Sequence, residues 1–578
     1  MDSLAGRRDA LARRYPRWVP MALHERVDAA AAAFADRPFV LTDELVLTYR
    51  EVVDWSRRLA DGLWALGVRP GDRVAMIMAN HPEFIPLKVA VSRVGAVAVP
   101  LNFLYRTQEL SYVLRQSECR VLITMSGYRG LDHLAMLDEV VPGWRRGAGD
   151  LPSLRSVVVL PVDDWREGGE IASVVEPRAP GEAGPAITVA GLALMGDRHA
   201  GATADLRVDG TALGDILYTS GTGGTPKGVM ISHDATQRDA YASALTRGFQ
   251  DGRRILFSLP CYHMFGLVEG VLAALFVGGA VVPQLSFDPV TFLDGVARHR
   301  ADDILCVPTM TVSILDCPAR DKYDLGSLRA ILSGAAPAPV WVWERVRDEL
   351  GLSEIVTGYG MTELGGATTM TRPEDSLEIV STTVGRVKDA GVAGLAHAGG
   401  ALAEYRTLDP RTGAVLPPGA EGELDCRGST VMFGYWGKPK ETEAACRDGW
   451  VRSGDLGRVR PDGNLELTGR SADLYKSGGE LVMPKEIEEL LTRLPGISQA
   501  FALGIPDEYW GEAGVVWIVP EPGAELTEQR ILRHCKDNLA RFKVPKHVLF
   551  CTTAELPTTP TGKVQKFLLA ERAVARLR

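Results

Sequence analysis

The sequence predicts an α/β protein with two domains. A large layered α/β domain with a β-rich subdomain covers residues 1–469, and a small α+β domain hinged near residue 470 covers residues 470–578. Three observations support this prediction. The chain of 578 residues is longer than one hydrophobic core usually fills. Strand-like and helix-like apolar patterns alternate as far as about residue 384. Beyond residue 472 the composition changes, since seven of the thirteen lysines lie there.

The alternating patterns of the first part of the chain predict parallel strands covered by helices. Residues 142–210 are rich in Pro, Gly, Arg and Asp and contain a single predicted strand, Ser156–Leu160. The other predicted strands before residue 142 are Arg73–Ala79, Ala96–Leu101 and Arg120–Thr124, and the predicted helices are Val27–Phe34, Tyr49–Leu66 and Glu83–Val94.

The same alternation continues after residue 251 and then gives way to short β-like segments with turns. The predicted elements are helix Pro289–Arg298 and strands Ala280–Pro283, Ile304–Val307, Leu328–Gly334, Glu354–Gly360, Gly422–Gly428 and Gly463–Gly469. The last two strands belong to the predicted β-rich subdomain.

Composition excludes several classes of function. The net charge of −9 argues against a nucleic-acid or anionic-membrane partner. The eight cysteines form no CxxC pair and no metal-binding spacing, which is typical of inert thiols in a reducing cytosol. The apolar run Gly266–Pro283 contains Glu269 and further glycines, so it predicts a buried helix and strand rather than a membrane span. With no signal-peptide core at its start, the protein is predicted to be cytoplasmic.

A glycine- and hydroxyl-rich segment follows the apolar residues Ile216–Tyr218 and carries one lysine. Its glycines let successive backbone N–H groups point at one anion, and its hydroxyls and lysine add donors and positive charge. The predicted phosphate ligands are Thr219, Ser220, Gly221, Thr222, Gly223, Gly224, Thr225 and Lys227. The segment differs from a P-loop, because Pro226 precedes the lysine and Gly228 follows it. A glycine-rich surface turn is the alternative interpretation.

Several motifs in this order resemble those of the adenylate-forming enzymes, which comprise acyl-CoA synthetases, adenylation domains and luciferases. The motifs are residues 218–228, Ser333–Pro337, Tyr359–Glu363, Ser453–Asp455, Gly469–Arg470 and Pro557–Lys563. The resemblance runs from about residue 20 to about residue 570 and is closest to bacterial fatty acid and aromatic acid–CoA ligases. It implies ATP-dependent conversion of a small carboxylic acid to an acyl adenylate, release of pyrophosphate, and transfer of the acyl group to CoA.

The resemblance also implies how ATP and its Mg²⁺ are bound. Tyr359 would stack on adenine, and Asp455 would accept both ribose hydroxyls. Thr222 and Glu363 would hold the Mg²⁺, which prefers oxygen ligands. Besides the phosphate ligands named above, the implied ATP-binding residues are Gly334, Ala335, Ala336, Tyr359, Gly360, Met361, Thr362, Asp455 and Arg470.

His263 matches the family's gate beside the acyl pocket, and the alternative is a core histidine bonded to a backbone carbonyl. Gly365 and its neighbour remove side-chain volume near the expected pocket, which favours an aromatic or medium-length acyl group. The implied CoA-binding residues are Lys476, Ser477, Gly478 and Gly479. Lys563 is the predicted catalytic residue, because the family's lysine at this position neutralises charge between the carboxylate and the α-phosphate. The small domain would rotate about residues 470–473 between the two steps.

Two residues depart from the family pattern. Gly223 stands where a second hydroxyl residue is usual, and Ala472 stands where a Lys or Asp is usual. These departures leave open an acceptor other than CoA, such as a carrier-protein thiol in trans or an amine. A non-catalytic nucleotide-binding protein is a second alternative. The chain argues against it by retaining Lys227, Glu363, Asp455, Arg470 and Lys563.

Overall fold

The computed structural model describes residues 3–146, 151–162, 186–219, 226–336, 338–470, 473–477, 480–507, 511–539, 541–559 and 564–577. The chain divides into two compact units. The first unit comprises Met1–Glu404 and Cys426–Val451, and the second comprises Tyr405–Asp425 and Arg452–Arg578. The domain boundary predicted between residues 469 and 470 was placed at the hinge motif. It differs from this division into units and stays a prediction.

The first sheet of the first unit has seven strands, six of them parallel. In spatial order they are Glu354–Val356, Ala330–Ser333, Asp303–Cys306, Arg254–Phe257, Ala280–Pro283, Pro38–Leu41 and Val46–Thr48, of which the last is antiparallel. Most residues of the central strands are buried, because helices cover both faces of a parallel sheet.

The second sheet has eight strands and mixes both pairing directions. In spatial order they are Gly434–Tyr435, Lys227–Ser232, Leu213–Thr219, Val97–Leu101, Arg73–Ile77, Val121–Met125, Ser156–Leu160 and Ile187–Thr188. The strands from Leu213–Thr219 onward pair in parallel, whereas Lys227–Ser232 is antiparallel to both of its neighbours.

The first unit also contains small sheets and the helices that cover the two large ones. Strands Gly127–Tyr128 and Leu131–Asp132 pair with each other, as do Gly358–Met361, Gly366–Met370 and Arg386–Val387. The α-helices are Leu4–Arg14, Leu23–Phe34, Tyr49–Ala65, Phe84–Arg93, Thr107–Ser117, His133–Val140, Val189–Arg198, His233–Thr246, Ala273–Leu275, Pro289–His299, Pro308–Leu315, Val340–Leu350, Leu377–Thr382 and Pro439–Ala445, and Phe265–Leu272 is a π-helix. Short 3₁₀ turns are Trp144–Arg146, Arg320–Lys322, Thr362–Leu364, Gly391–Ala393 and Ala396–Ala398.

Strands Ala403–Leu408, Gly422–Gly428, Cys446–Arg447 and Trp450–Val459 lie around the positions where the chain passes between units. In the second unit, Leu465–Arg470 is antiparallel to the end of Trp450–Val459. A five-stranded sheet follows, with strands Tyr475–Ser477, Glu480–Val482, Ile497–Asp507, Gly511–Pro520 and His547–Phe550. The helices of this unit are Pro484–Thr492, Glu528–Asn538 and Lys566–Leu577, and the 3₁₀ turns are Arg541–Lys543 and Thr553–Glu555. Alternate residues of Gly511–Pro520 enter separate apolar clusters, so both faces of this sheet are covered.

The predicted fold class is confirmed. Strands Ser156–Leu160, Ala280–Pro283 and Gly422–Gly428 have the predicted bounds, and the run from residue 266 is a buried helix and strand. Among the described residues, no helix has both the length and the apolarity needed to cross a membrane.

Helix Val189–Arg198 was not predicted from the sequence. It packs against Tyr49–Ala65 at two glycines, and a Cβ at Gly196 would lie 1.7 Å from the carbonyl oxygen of Arg58. The glycines allow the two helix backbones to approach closely. In the sequence this helix lies in a stretch rich in Pro, Gly, Arg and Asp, which is why it was missed.

Candidate active site

The predicted site residues of the first unit follow the carboxyl ends of strands in its two sheets. Thr219 ends the strand Leu213–Thr219, and His263 follows Arg254–Phe257. Gly334 directly follows another parallel strand, and Tyr359 lies three residues after the edge strand. In open α/β sheets, ligands bind outside the carboxyl ends of the strands. The fold therefore brings residues from distant parts of the sequence to the edges where such sheets bind ligands.

Asn80 joins the carboxyl edges of the two sheets. It follows strand Arg73–Ile77 of the second sheet and is buried. Its Nδ2 donates to the carbonyl oxygens of Leu259 and Gln284 at 3.0 and 3.1 Å, and its Oδ1 accepts from the N–H of Cys261 at 2.8 Å. These partners extend two strands of the first sheet. Sequence reasoning missed Asn80, although a polar residue just after a buried strand was a usable signal.

The predicted phosphate segment connects two antiparallel strands, Leu213–Thr219 and Lys227–Ser232, which we call the phosphate hairpin. Thr219 lies opposite Lys227 in this pairing. A strand rather than a helix follows the lysine, which confirms the distinction from a P-loop. The predicted ligands Ser220, Gly221, Thr222, Gly223, Gly224 and Thr225 lie outside the described residues.

Helix Thr107–Ser117 holds the phosphate hairpin from one side. Tyr112 donates its hydroxyl to the carbonyl oxygen of Pro226 at 3.2 Å. Tyr218 donates to Oε1 of Gln116, and Nε2 of Gln116 donates to the carbonyl oxygen of Trp436 at 2.6 Å. The indole N–H of Trp436 returns a bond of 3.1 Å to the Gln116 carbonyl. Both ends of the predicted phosphate loop are therefore tied to the same helix.

A lysine, a tyrosine and a glutamate form the centre of the candidate site, and we call them the phosphate-end cluster. The Lys227 ammonium lies 4.8 Å from the centre of the Tyr435 ring. The Tyr435 hydroxyl donates to Oε1 of Glu363 at 3.0 Å, and both of these side chains are buried. Burial and the Glu363 carboxylate raise the pKa of Tyr435, so its phenol stays protonated. Sequence reasoning predicted Lys227 and Glu363 but missed Tyr435, whose flanking glycines were the available signal.

Glu363 lies in the turn between the paired strands Gly358–Met361 and Gly366–Met370, which we call the glutamate hairpin. Gly365 closes the turn, since its N–H donates to the carbonyl oxygen of Thr362 at 3.0 Å. Gly365 has a φ of 84°, and a Cβ there would lie 2.5 Å from the carbonyl oxygen of Thr430. A Cβ on Gly366 would lie 2.0 Å from Oδ2 of Asp239. Both glycines thus have a packing reason, and the place of Gly365 in an acyl pocket stays a prediction.

The turn that contains Gly334, Ala335 and Ala336 has a strained backbone. Ala335 has a φ of 70°, in the left-handed region that costs a non-glycine residue about 1–3 kcal/mol. The N–H of Gly334 donates to the carbonyl oxygen of Cys306 at 3.2 Å, while Ala335 and Ala336 are exposed. Such strain is concentrated at ligand sites. The small side chains leave the exposed main chain of this turn accessible to a flat ring.

His263 precedes the π-helix Phe265–Leu272 by two residues and is half-buried. Its Nδ1 accepts the N–H of Phe265 at 3.2 Å. Burial lowers the pKa of His263 to about 4, so the ring is neutral and carries its proton on Nε2. This partner is an N–H group rather than the backbone carbonyl that the core-histidine alternative assumes. A ring with this pKa and this tautomer is poorly suited to act as a general base at neutral pH.

In the second unit, Asp455 and Arg470 lie opposite each other on adjacent antiparallel strands. The Arg470 Nε lies 2.8 Å from Oδ1 of Asp455, which is buried. The N–H of Asp455 donates to Oγ of Ser453 at 3.0 Å, and that hydroxyl donates to the Leu424 carbonyl at 2.8 Å. The two residues predicted to read ribose and phosphate therefore form one fixed pair.

The remaining predicted site residues are partly outside the described chain. Lys476 and Ser477 belong to strand Tyr475–Ser477. Gly478, Gly479 and Lys563 lie outside the described residues.

Comparison with known proteins identifies the family. The profile of the AMP-binding enzymes matches residues 27–436, and that of the AMP-binding enzyme C-terminal domain matches residues 486–563. The chain belongs to the AMP-binding enzyme family. Its first profile match contains the phosphate hairpin, His263 and the glutamate hairpin.

Named relatives of the chain are CoA ligases. A CoA ligase of Mycobacterium tuberculosis is 35% identical, and the match covers 96% of this chain and 99% of the relative. Its name describes a propanoyl group that carries a methyl-dioxo-octahydro-indenyl bicycle. A feruloyl-CoA synthase from Amycolatopsis is 34% identical, with coverages of 90% and 92%. The ATP-bound crystal structure of MatB from Rhodopseudomonas palustris has a TM-score of 0.77 at 28% identity, covering 96% of this chain and 99% of that one.

These matches extend over nearly the whole chain, and they confirm the predicted class of enzyme. The chain is an AMP-forming acid–CoA ligase. It activates a carboxylic acid with ATP and transfers the acyl group to CoA.

Proposed function

We propose that this ligase activates a ring-bearing carboxylic acid of medium length and that the phosphate-end cluster holds the phosphates of ATP. The assignment of the phosphate site depends on one observation: at the end of the phosphate hairpin, Lys227 contacts the ring of Tyr435, and the hydroxyl of Tyr435 bonds Glu363. A cation and a carboxylate held close together, but bridged by a neutral phenol, suit a polyphosphate together with its metal ion.

In the proposed site, Lys227 and the loop 220–225 bind the β- and γ-phosphates, which leave as pyrophosphate. Glu363, with Thr222, would hold Mg²⁺, which supplies charge neutralisation at the phosphates. The described residues contain no group of three or more His, Cys, Asp or Glu able to hold a metal. A single carboxylate fits Mg²⁺, because this ion usually keeps several waters and binds substrate phosphates.

The proposed first step joins the acid to AMP. A carboxylate oxygen of the acid attacks the α-phosphorus, and the bond from this phosphorus to the bridging oxygen of pyrophosphate breaks. Lys563 neutralises the charge that develops between the carboxylate and the α-phosphate, which is electrostatic catalysis without a covalent enzyme intermediate. Tyr359 stacks on adenine against the turn Gly334–Ala336, and His263 acts as the gate of the acyl pocket.

The proposed second step forms the thioester. The sulfur of CoA forms a bond to the acyl carbon, the bond from this carbon to the phosphate oxygen of AMP breaks, and the thiol proton passes to solvent as AMP leaves. Asp455 accepts the ribose hydroxyls, and Arg470 orients this carboxylate through their ion pair. We assign the pantetheine contact to residues 476–479 and the withdrawal of Lys563 to a turn of the chain at residues 470–473.

The substrate class rests on two relatives, one named for a propanoyl group on a bicyclic ring system and one for feruloyl-CoA. We place the enzyme in the cytoplasm. In support of this, its eight cysteines are free thiols, and all but Cys446 are buried.

Pyrophosphate exchange with a panel of acids tests the proposal. The panel contains ferulate, cinnamate, straight-chain acids of six to twelve carbons, and a bicyclic propanoate. We expect acid-dependent exchange that is strongest with the ring-bearing acids, together with the matching CoA thioester. Exchange with straight-chain acids alone would contradict the substrate class. Exchange without a thioester would identify an acceptor other than CoA, such as a carrier-protein thiol.

The Lys563→Ala variant tests the predicted catalytic residue. We expect it to abolish acid-dependent exchange while still forming the thioester from supplied acyl adenylate and CoA, because the lysine acts only in the first step. Equal loss of both half-reactions would contradict this division of labour.

A further inference from the structure

A second lysine–carboxylate cluster lies in the first unit, apart from the residues assigned above. The Lys388 side chain is fully buried. Its ammonium bonds Oδ1 of Asp239 at 2.8 Å, Oγ of Ser243 at 2.5 Å and Oε1 of Glu269 at 2.7 Å. We call these four residues the Lys388 cluster.

The Lys388 cluster draws its members from three elements that lead to different parts of the candidate site. Asp239 and Ser243 lie on helix His233–Thr246, which directly follows the second strand of the phosphate hairpin. Glu269 lies in the π-helix that follows His263. Lys388 directly follows strand Arg386–Val387, which pairs with the second strand of the glutamate hairpin.

The glutamate hairpin also touches the cluster through a glycine. Gly366 lies three residues after Glu363 and has a φ of 137°. A Cβ added to this glycine would lie 2.0 Å from Oδ2 of Asp239. Any other residue at this position would displace the carboxylate or the strand. The hairpin that carries the predicted metal ligand is thus fitted against the carboxylate that Lys388 bonds.

Charge balance indicates that the cluster is not there to stabilise the fold. Two carboxylates share one ammonium, and neither Oδ2 of Asp239 nor Oε2 of Glu269 has a hydrogen-bond partner among the described residues. Apolar side chains of similar volume are often as stable as a buried ion cluster, or more so. The best-attested use of such a cluster is to fix the register of the elements that it joins.

Among the elements that the cluster joins, the π-helix has the least regular backbone, so we expect its position to depend most on the cluster. π-helical turns are rare, occur mostly as local insertions, and are found frequently at functional sites. In this helix Gly270 packs so closely on Phe257 that a Cβ would lie 2.7 Å from that ring. Glu269, next to it, is the residue that connects the helix to Lys388.

We infer that Lys388 is a positioning residue for the acid site. It connects the π-helix to helix His233–Thr246 and to the glutamate hairpin. The positions of His263, Lys227 and Glu363 relative to one another are thereby fixed. The inference rests on the proposed function, which assigns His263 to the acyl side and the other two residues to the phosphates. Because Glu269 is the cluster's connection to the π-helix, loss of the cluster affects the acid more than ATP.

The test is a triple variant, Lys388→Met with Asp239→Asn and Glu269→Gln, which removes all three charges and nearly preserves volume. We expect it to fold, to keep its KM for ATP within twofold, and to raise its KM for the acid by about tenfold, as expected for a displaced binding wall. Hydrogen exchange of the amides of residues 265–272 is a second readout that needs no activity. We expect these amides to exchange at least tenfold faster, and Glu269→Gln alone to give a smaller change in the same direction.

The matched control is Arg247→Met with Asp303→Asn, which removes one positive and one negative charge from another buried ion network, at the amino end of a parallel strand, in which Asp303 also bonds Arg253 at 2.8 Å. We expect this variant to lower Tm but to leave the KM for the acid unchanged. A wild-type KM for the acid with unchanged exchange at residues 265–272 in the triple variant would overturn the inference. Failure of the proposed function is distinguishable, since the wild-type enzyme would then show no exchange with any ring-bearing acid, whereas the amide measurement would still test Lys388.

Discussion

Two lysine–carboxylate clusters of the first unit are built in opposite ways. In the Lys388 cluster the ammonium contacts two carboxylates directly and is fully buried. In the phosphate-end cluster the Lys227 ammonium faces a tyrosine ring, and the hydroxyl of that ring bonds Glu363. Within the described part of the chain, no ion pair of Lys227 occurs, in line with the phosphate contact proposed for it.

This difference in partners separates a lysine that joins elements of the fold from a lysine proposed to bind a ligand. A buried charge must be neutralised locally, because transfer from water costs several kcal/mol per ion. A charge kept for substrate is less deeply buried and needs only a weak local partner. A cation–π contact supplies about 0.5–2 kcal/mol, less than two phosphate oxygens supply when they bind. Four predictions follow from this contrast, and they are ordered by expected effect.

Replacing each lysine by methionine should affect stability very differently. Lys388→Met leaves two buried carboxylates without a cation, so we expect a loss of about 3–5 kcal/mol in the free energy of unfolding. Lys227→Met loses a cation–π contact and should cost about 1 kcal/mol or less. Urea denaturation of both variants measures the difference. Similar losses in the two variants would show that the clusters do not differ as described.

The same Lys227→Met variant should have the larger effect on catalysis. Removing one preorganised charge from a phosphate site typically lowers the rate by about 10²–10³-fold, and we expect this loss in pyrophosphate exchange, with a raised KM for ATP. Lys440→Met, at an exposed lysine of the same unit, is the matched control and should retain wild-type exchange. Exchange within threefold of wild type in Lys227→Met would argue against a phosphate contact.

The pH dependence of stability should reveal the charge imbalance of the Lys388 cluster. Burial raises the pKa of Asp239 to about 7, with Glu269 adding to the rise and Lys388 opposing it. The main chain at Gly366–Ala367 lies against this carboxylate, and the Ser243 hydroxyl bonds Lys388 and the main-chain carbonyl of Asp239; neither group carries a charge. Since the folded state holds this proton more tightly than the unfolded state, the contribution is present below pH 4 and is lost as pH rises to about 7.

Buried histidines act in the opposite direction, so a variant must be compared with wild type. Burial lowers the pKa of His24 and His263 to about 4 and that of His233 to about 3, and such groups gain stability as pH rises toward 6.5. Asp239→Asn should remove only the decreasing contribution. The difference in unfolding free energy between the two proteins should therefore change between pH 4 and 7. A constant difference over this range would contradict the assignment.

The sequence supplied candidates for the residues that bind ligands, and these stay predictions, but it supplied none for the residues that hold them in place. Lys227 and Glu363 were predicted because short motifs of glycine, hydroxyl and charged residues have few purely structural explanations. Asn80 and Lys388 were missed, because each acts through partners more than a hundred residues away. No local pattern marks a side chain whose importance depends on which strands become neighbours.

The two glycines after Glu363 also show that the sequence does not reveal which groups become neighbours in space. Gly365 was assigned to the acyl pocket, because it and Gly366 follow Glu363 directly in the expected site and remove side-chain volume there. The structure gives them a packing reason, since side chains there would collide with Thr430 and Asp239. Sequence reasoning recognised that space was needed at these positions but did not predict which groups would occupy it.

Tyr435→Phe should have the smallest effect and is the sharpest test of the phosphate-end cluster. The ring stays, so the contact with Lys227 is retained, and only the hydrogen bond to Glu363 is lost. A hydrogen bond to a charged group contributes about 1.5–3 kcal/mol to stability, so we expect a loss of this order in the free energy of unfolding together with at least a tenfold fall in exchange. Tyr435→Leu, which also removes the ring, should raise the KM for ATP further because Lys227 loses its support. Equal defects in the two variants would mean that the hydroxyl carries the whole effect and that the ring does not position the lysine.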